Sequence, residues 1–347
     1  MVYFVFDLDS TLADIAPVYF YLELLKRLES TSYNMGIIAY KHFVDVILER
    51  ETNLRNPLYI LRPRILDIFT DIYGLKQMRR CEGVVIYSNN GYLPCLEFVR
   101  DLIEQFLGVK KLICTCVYLR DKDRKDGSKK TWRDLKRILV DRCDANPSLG
   151  PESVVFFDDL PDHVLRNQLP PENYIHVEAY NYTRTDESLA YIKAAFIAAI
   201  QACGIIDQPV LFSNYTKSIH SLYKLSGNTS NNKLNTFKTV FTIIDADTKR
   251  IPERVGKPEL NDGVILDVMN RYYNGPVAPF VNSLPIQQTT TGALEATNSI
   301  GINNSEINTS LVNPFQSNHL GGGKKKQHKT LRKRRYKQKT RTYSRRV

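Results

Sequence analysis

Two aspartates two residues apart, Asp7 and Asp9, follow directly on the apolar run Val2-Tyr-Phe-Val-Phe6. Carboxylates so placed at a strand end converge on one site. One can attack a phosphorus atom or bind a cation, while the other gives and takes a proton. They repel each other unless a cation is present. A second apolar run, Gly83-Val-Val-Ile-Tyr87, ends at Ser88, whose hydroxyl can hydrogen-bond a phosphoryl oxygen or cap the next helix. Lys129 and Lys130 stand before a helical pattern, where an ammonium can neutralise a phosphoryl group. A further run, Ser153-Val-Val-Phe-Phe157, ends at Asp158-Asp159. Hard carboxylate oxygens of this kind are what Mg²⁺ takes beside water and phosphate. Each feature alone has a plainer role in a turn, a cap or a solvated loop. Together, in this order, they point to phosphoryl chemistry.

Groups so far apart in sequence need a frame to bring them together. The spacing predicts strands at 2–6, 83–87, 111–118, 153–157 and near 174–177. Helical periodicity predicts helices at about 15–29, 36–50, 64–73, 93–107, 131–142 and 187–202. Pro63 fits the first turn of the third of these. Buried strands alternating with helices predict an α/β fold, a parallel sheet covered by helices on both faces. Ligands of such sheets bind beyond the carboxyl ends of the strands, where the polar residues above stand.

The order of hydrophobic strand and DxDxT, strand and Ser, Lys, then strand and DD resembles the four motifs of the haloacid dehalogenase (HAD) superfamily. The likeness spans about residues 1–204 and is most specific in FVFDLDSTL and VVFFDDLPD. It implies a Rossmannoid parallel sheet, a phospho-aspartyl intermediate and Mg²⁺. By position, Asp7 would be the nucleophile, Asp9 the general acid and base, Thr11 a support for the loop, and Ser88 a phosphoryl ligand. Lys130, or else its neighbour Lys129, would be the motif lysine. Asp158 would hold Mg²⁺ together with Asp7 and the backbone carbonyl of Asp9, with Asp159 close by. Leu61-Arg-Pro63 followed by ILDIF is similar to the FCP/SCP-like (NLI-interacting-factor-like) branch, which acts on phosphoproteins. The chain departs from that branch at Arg64, where the branch has Gly, at Ser88-Asn-Asn90, and in the long stretch from Lys130 to Asp158.

The resulting expectation is a phosphatase core at 1–204, with a small helical cap inserted at 12–60. An extension at 205–282 keeps enough aromatic and aliphatic residues to pack on that core. A linker rich in Asn, Thr, Ser, Gln and Gly follows at 283–323, then a basic tail at 324–347. Thirteen of the 48 Lys and Arg residues lie in that tail. The 35 elsewhere, against 37 acidic residues, leave residues 1–323 at −2. A run this basic is expected to be disordered and to attract polyanions, so non-specific nucleic-acid binding belongs to the tail. Behind Gly321-Gly-Gly323 it is similar to tails on proteins of large DNA viruses. Six scattered cysteines fit reduced thiols and an intracellular, cytoplasmic or nuclear location, with Cys114 and Cys116 as buried strand residues. No apolar stretch approaches a membrane span, and no signal peptide is read at the N-terminus. The expected substrate is a phosphoprotein or a small phosphomonoester, with a nucleic-acid end or a non-catalytic binding role as the alternatives.

Overall fold

The computed structural model describes residues 2–53, 57–160, 163–180, 186–222 and 263–273. The expected linker and tail lie outside them. Five strands form one parallel sheet: β1 (Val2–Phe6), β2 (Cys81–Tyr87), β3 (Ile113–Val117), β4 (Val154–Asp158) and β5 (Tyr174–His176), in the order β3-β2-β1-β4-β5. The chain winds outward from β1 to β3, returns to β4 on the other side of β1, and ends at β5. The reversal puts the carboxyl ends of β2, β1 and β4 side by side, at a crevice that such sheets use for ligands.

Every residue of β1 and β4 is buried. Successive side chains of a strand point to opposite faces, so uninterrupted apolar runs require cover on both. On one face Val2, Phe4 and Phe6 meet α1 (Tyr19–Thr31), α2 (Tyr33–Glu51), α3 (Ile65–Gln77), α4 (Leu93–Leu107) and α7 (Asp186–Ala202). On the other, Tyr3 and Val5 meet Leu135, Ile138 and Leu139 of α5 (Trp132–Cys143) and Leu165 of the short α6 (His163–Arg166). Phe6 stacks on Phe157 at 4.5 Å between ring centroids, which ties β1 to β4 just below the crevice.

Residues 12–60, expected as a cap, contribute α1 and α2 to the core; α2 packs on α1 and α7. In the extension, α8 (Pro209–Leu222) packs on α1 and α9 (Gly263–Tyr273) on α3, burying Tyr215, Ile219, Ile265, Val268 and Met269. Pro63 does not open α3. The helix starts at Ile65, and Arg64 before it takes φ 62°, the left-handed conformation that glycine adopts without strain.

The cysteine reading needs correction. Cys114 of β3 and Cys143 at the end of α5 form a disulfide, while Cys81, Cys95, Cys116 and Cys203 are free and buried. Among the described residues no helix is long and apolar enough to cross a membrane.

Candidate functional site

Asp7, Ser88 and Asp158 stand at the carboxyl ends of β1, β2 and β4, and all three are buried. Lys130 reaches them from across the sheet. Its Nζ lies 3.0 Å from Asp7 Oδ1 and 2.7 Å from Asp158 Oδ2. Lys129 is exposed, and its hydrogen bonds are made by its backbone, the amide to Asp126 O and the carbonyl to Arg124. The geometry therefore selects Lys130. Thr131 caps α5 by accepting from the Asp134 amide, which fixes the residue before it at the crevice.

Ser88 accepts from the Asn90 amide at 3.0 Å, and its hydroxyl also meets the Asp7 carboxylate. Asn90 donates its side-chain amide to both oxygens of Asp9, at 3.2 and 3.3 Å. Thr11 donates its hydroxyl to Asp159 Oδ1 at 3.1 Å and accepts from the Asp159 amide at 3.0 Å, which locks the β1 loop to the β4 loop. Asp158 Oδ1 accepts from the Leu160 amide. All eight residues singled out in the sequence are thus located, seven of them in one cluster and Lys129 outside it.

The charges are not balanced. Burial pushes Asp7, Asp158 and Asp159 up from the ordinary carboxylate range; Lys130 opposes this at Asp7 and Asp158, and the Thr11 hydroxyl opposes it at Asp159. Burial works against the charge of Lys130, but the two carboxylates outweigh it and hold the ammonium up. Loss of solvent and then the charge of Asp7 push Asp9 up to about 6. Among the described residues, three carboxyl groups face one ammonium, a formal excess of acid over base. One oxygen each of Asp7, Asp158 and Asp159 lie within 4.8 Å of one another. Asp7 Oδ1 is buried and, beside its ion pair with Lys130, has no hydrogen bond of good geometry. Clustered hard oxygens and an excess of acid over base fit a divalent cation such as Mg²⁺.

No family model matches the chain, and no curated protein does.

Three supporting residues gave little or no signal in sequence. Arg62 is 2% exposed, and its guanidinium donates to the carbonyls of Thr11 (2.6 Å), Ser10 (2.9 Å) and Glu178. It pins the loop that carries Asp9 and Thr11. The Leu61-Arg-Pro63 resemblance marked it without a role. Arg124 is buried over the Tyr87 ring and donates to Ser88 O and Asn89 Oδ1, both at 2.8 Å. In sequence it is one charge among many. Glu51, at the end of α2, accepts from the amides of Leu61 (2.7 Å) and Ile60 (3.3 Å) and so holds the segment that delivers Arg62.

Burial pushes Glu51 up to about 7, against the opposing amide hydrogen bonds. An acid whose folded pKa exceeds its unfolded one makes the unfolded state bind fewer protons in between, so stability falls as pH rises. From the ordinary range near 4.5 to about 7 the loss is about 3 kcal/mol, complete above pH 7. Glu51→Gln cannot titrate. Whatever constant offset its amide introduces, the unfolding free energy of wild type relative to the variant is expected to drop by about 3 kcal/mol between pH 4 and 8. Urea unfolding of both proteins across that range measures it; a flat difference means that the carboxyl is ionised throughout.

Proposed function

We propose that the chain is a Mg²⁺-dependent phosphomonoester hydrolase of the HAD superfamily, nearest its FCP/SCP-like branch, working through a phospho-aspartyl intermediate on Asp7. The observation that carries this reading is the buried Asp7 carboxylate facing Lys130, Asp158 and Asp159 at a strand end, with Asp9 beside it. Its substrate is a phosphomonoester, either a phosphoprotein or a small molecule, with a nucleic-acid end as the alternative.

Asp7 attacks the phosphorus in line, forming a P–O bond to its carboxylate as the bond to the leaving oxygen breaks. Asp9 in its acid form donates a proton to that oxygen. Asn90 holds its carboxyl in place. Asp9, now a base, takes a proton from water as the water attacks phosphorus. The acyl-phosphate bond breaks, inorganic phosphate leaves, and Asp7 is regenerated. A pKa of about 6 suits both duties near neutral pH. Lys130 and Ser88 face the phosphoryl oxygens, where negative charge must be offset. Mg²⁺ held by Asp7, Asp158 and the Asp9 carbonyl, with Asp159 near, would supply the remaining positive charge. Arg62 and Arg124 keep the two loops from relaxing away from these positions.

The test is hydrolysis of p-nitrophenyl phosphate with Mg²⁺, abolished by chelation. Asp158→Asn is expected to raise the Mg²⁺ concentration for half-maximal rate by at least about tenfold, since one hard anionic ligand is lost. Its fold should survive, because the one amide oxygen can still accept from either Leu160 or Lys130, and Lys130 keeps its pair with Asp7. An unchanged Mg²⁺ activation curve would remove Asp158 from the metal site. No turnover of any phosphomonoester by folded wild type would end the reading.

A further inference from the structure

The loop at 119–130 that delivers Lys130 carries six cations and three acids. The acids are used inside the protein. Arg142 binds Asp121 (Nη1 to Oδ2, 2.9 Å) and Asp123 (Nε to Oδ2, 3.0 Å), while Asp126 takes Arg133 and the Thr131 hydroxyl. Of the cations, Arg124 and Lys130 are buried. Arg120, Lys122, Lys125 and Lys129 are exposed, and none has an ion-pair partner among the described residues. The outer face of the loop is therefore positive, although its composition is mixed.

The loop is also fixed at the site. The Leu119 amide donates to Asn90 O at 2.9 Å, Arg124 holds Ser88 and Asn89, and Lys130 enters the carboxylate cluster. Beside its first turn lie two half-buried tyrosines, Tyr19 and Tyr92, with ring centroids 5.2 Å apart. Tyr92 is tied by its amide to the side-chain oxygen of Asn90, the residue that holds Asp9. Arg120 is near enough to act on the Tyr19 hydroxyl electrostatically. Cations and two partly exposed tyrosines thus lie beside the segment that holds Asp9.

We infer that this rim binds a single nucleic-acid strand whose terminal phosphomonoester enters the Asp7 crevice, an inference that rests on the phosphatase reading above. A single phosphate is answered by Lys130, Ser88 and a cation, which leaves four outward charges along ten residues unused. A strand supplies phosphates in series for those charges, and bases that stack on tyrosine. A singly phosphorylated peptide supplies neither.

The test uses the full chain and the triple variant Arg120→Gln/Lys122→Gln/Lys125→Gln, with a 3′- or 5′-phosphorylated DNA dodecamer, a singly phosphorylated peptide and p-nitrophenyl phosphate. The variant is expected to lose at least about tenfold in kcat/KM on the dodecamer that wild type hydrolyses faster, at 0.1 M salt, and less than about twofold on the peptide and on p-nitrophenyl phosphate. Anisotropy of the labelled dodecamer reads the surface without catalysis. Its log Kd against log salt should be shallower by about 2 in the variant, from three cations at about 0.7 each. An unchanged slope, equal losses on all three substrates, or a loss confined to the peptide would overturn the inference. Inactivity of wild type on p-nitrophenyl phosphate would instead sink the phosphatase reading, and the salt slope would still decide whether the rim binds a strand.

Discussion

Asp7→Asn is expected to lower phosphatase turnover by at least about 10⁴-fold while leaving the protein folded and no less stable. The loss is large because in the proposed reaction the residue would form the covalent intermediate, and an amide oxygen is a far poorer nucleophile than a carboxylate. The stability expectation comes from the charge balance. Asp7 and Asp158 share one ammonium in a buried site, and burial already pushes both carboxyls toward their neutral forms. Asparagine keeps the volume, removes one of two competing anions, and leaves the 2.7 Å pair of Lys130 with Asp158 intact. An active site that holds like charges together sacrifices stability for function, so neutralising one should return some of it. Mg²⁺-dependent hydrolysis and urea unfolding, measured on the same preparation, test both halves. Near-wild-type turnover in the folded variant would end the nucleophile assignment. A clear drop in stability would show that Asp7 is a structural anion rather than a strained catalytic one.

The frame of this site was legible because its cause is local. The runs at 2–6, 83–87 and 153–157 are apolar without alternation because both faces of the sheet are covered, and they end where polar residues begin. Boundaries set by loop geometry were less legible. Helical periodicity ran back to 15, but α1 begins at Tyr19, and α3 begins after a left-handed Arg64 rather than at Pro63. What sequence could not supply was contact between distant segments. Arg124 reads as solvated among its charged neighbours, yet it is buried because the Ser88 carbonyl, 36 residues away, needs a donor. Cys114 and Cys143, 29 residues apart, carry no spacing signal; the packing of α5 on β3 brings them together. The choice between Lys129 and Lys130 belongs to the same class. Adjacent residues of one type differ only in the direction the loop turns them, and the Thr131 cap of α5 that follows the pair sets that direction.

Lys130→Met is expected to be the most destabilising single change to the cluster, costing about 3–5 kcal/mol of stability, and to lower the rate by at least about 10²-fold. Methionine is close to lysine in length and volume, so the change is chiefly one of charge, including the contact of the Lys130 ammonium with the Phe156 ring, 5.2 Å from its centroid. What is lost is, among the described residues, the one ammonium facing Asp7, Asp158 and Asp159, whose oxygens lie within 4.8 Å of one another. Removing one partner of a buried pair leaves the full desolvation cost of the other, and here two carboxylates depend on the same partner. The same reasoning predicts a rescue. A divalent cation that binds these oxygens offsets charge which the missing ammonium no longer offsets, so millimolar Mg²⁺ should raise the unfolding midpoint of Lys130→Met more than that of wild type. Lys129→Met serves as the control. That side chain is exposed and outside the cluster, so its stability should change by less than about 0.5 kcal/mol. Urea unfolding of the three proteins, with and without Mg²⁺, separates the outcomes. A large loss in Lys129→Met with a mild one in Lys130→Met would exchange the two lysines' roles. A Lys130→Met protein destabilised as expected but indifferent to Mg²⁺ would keep the ion pairs and remove the cation from the site.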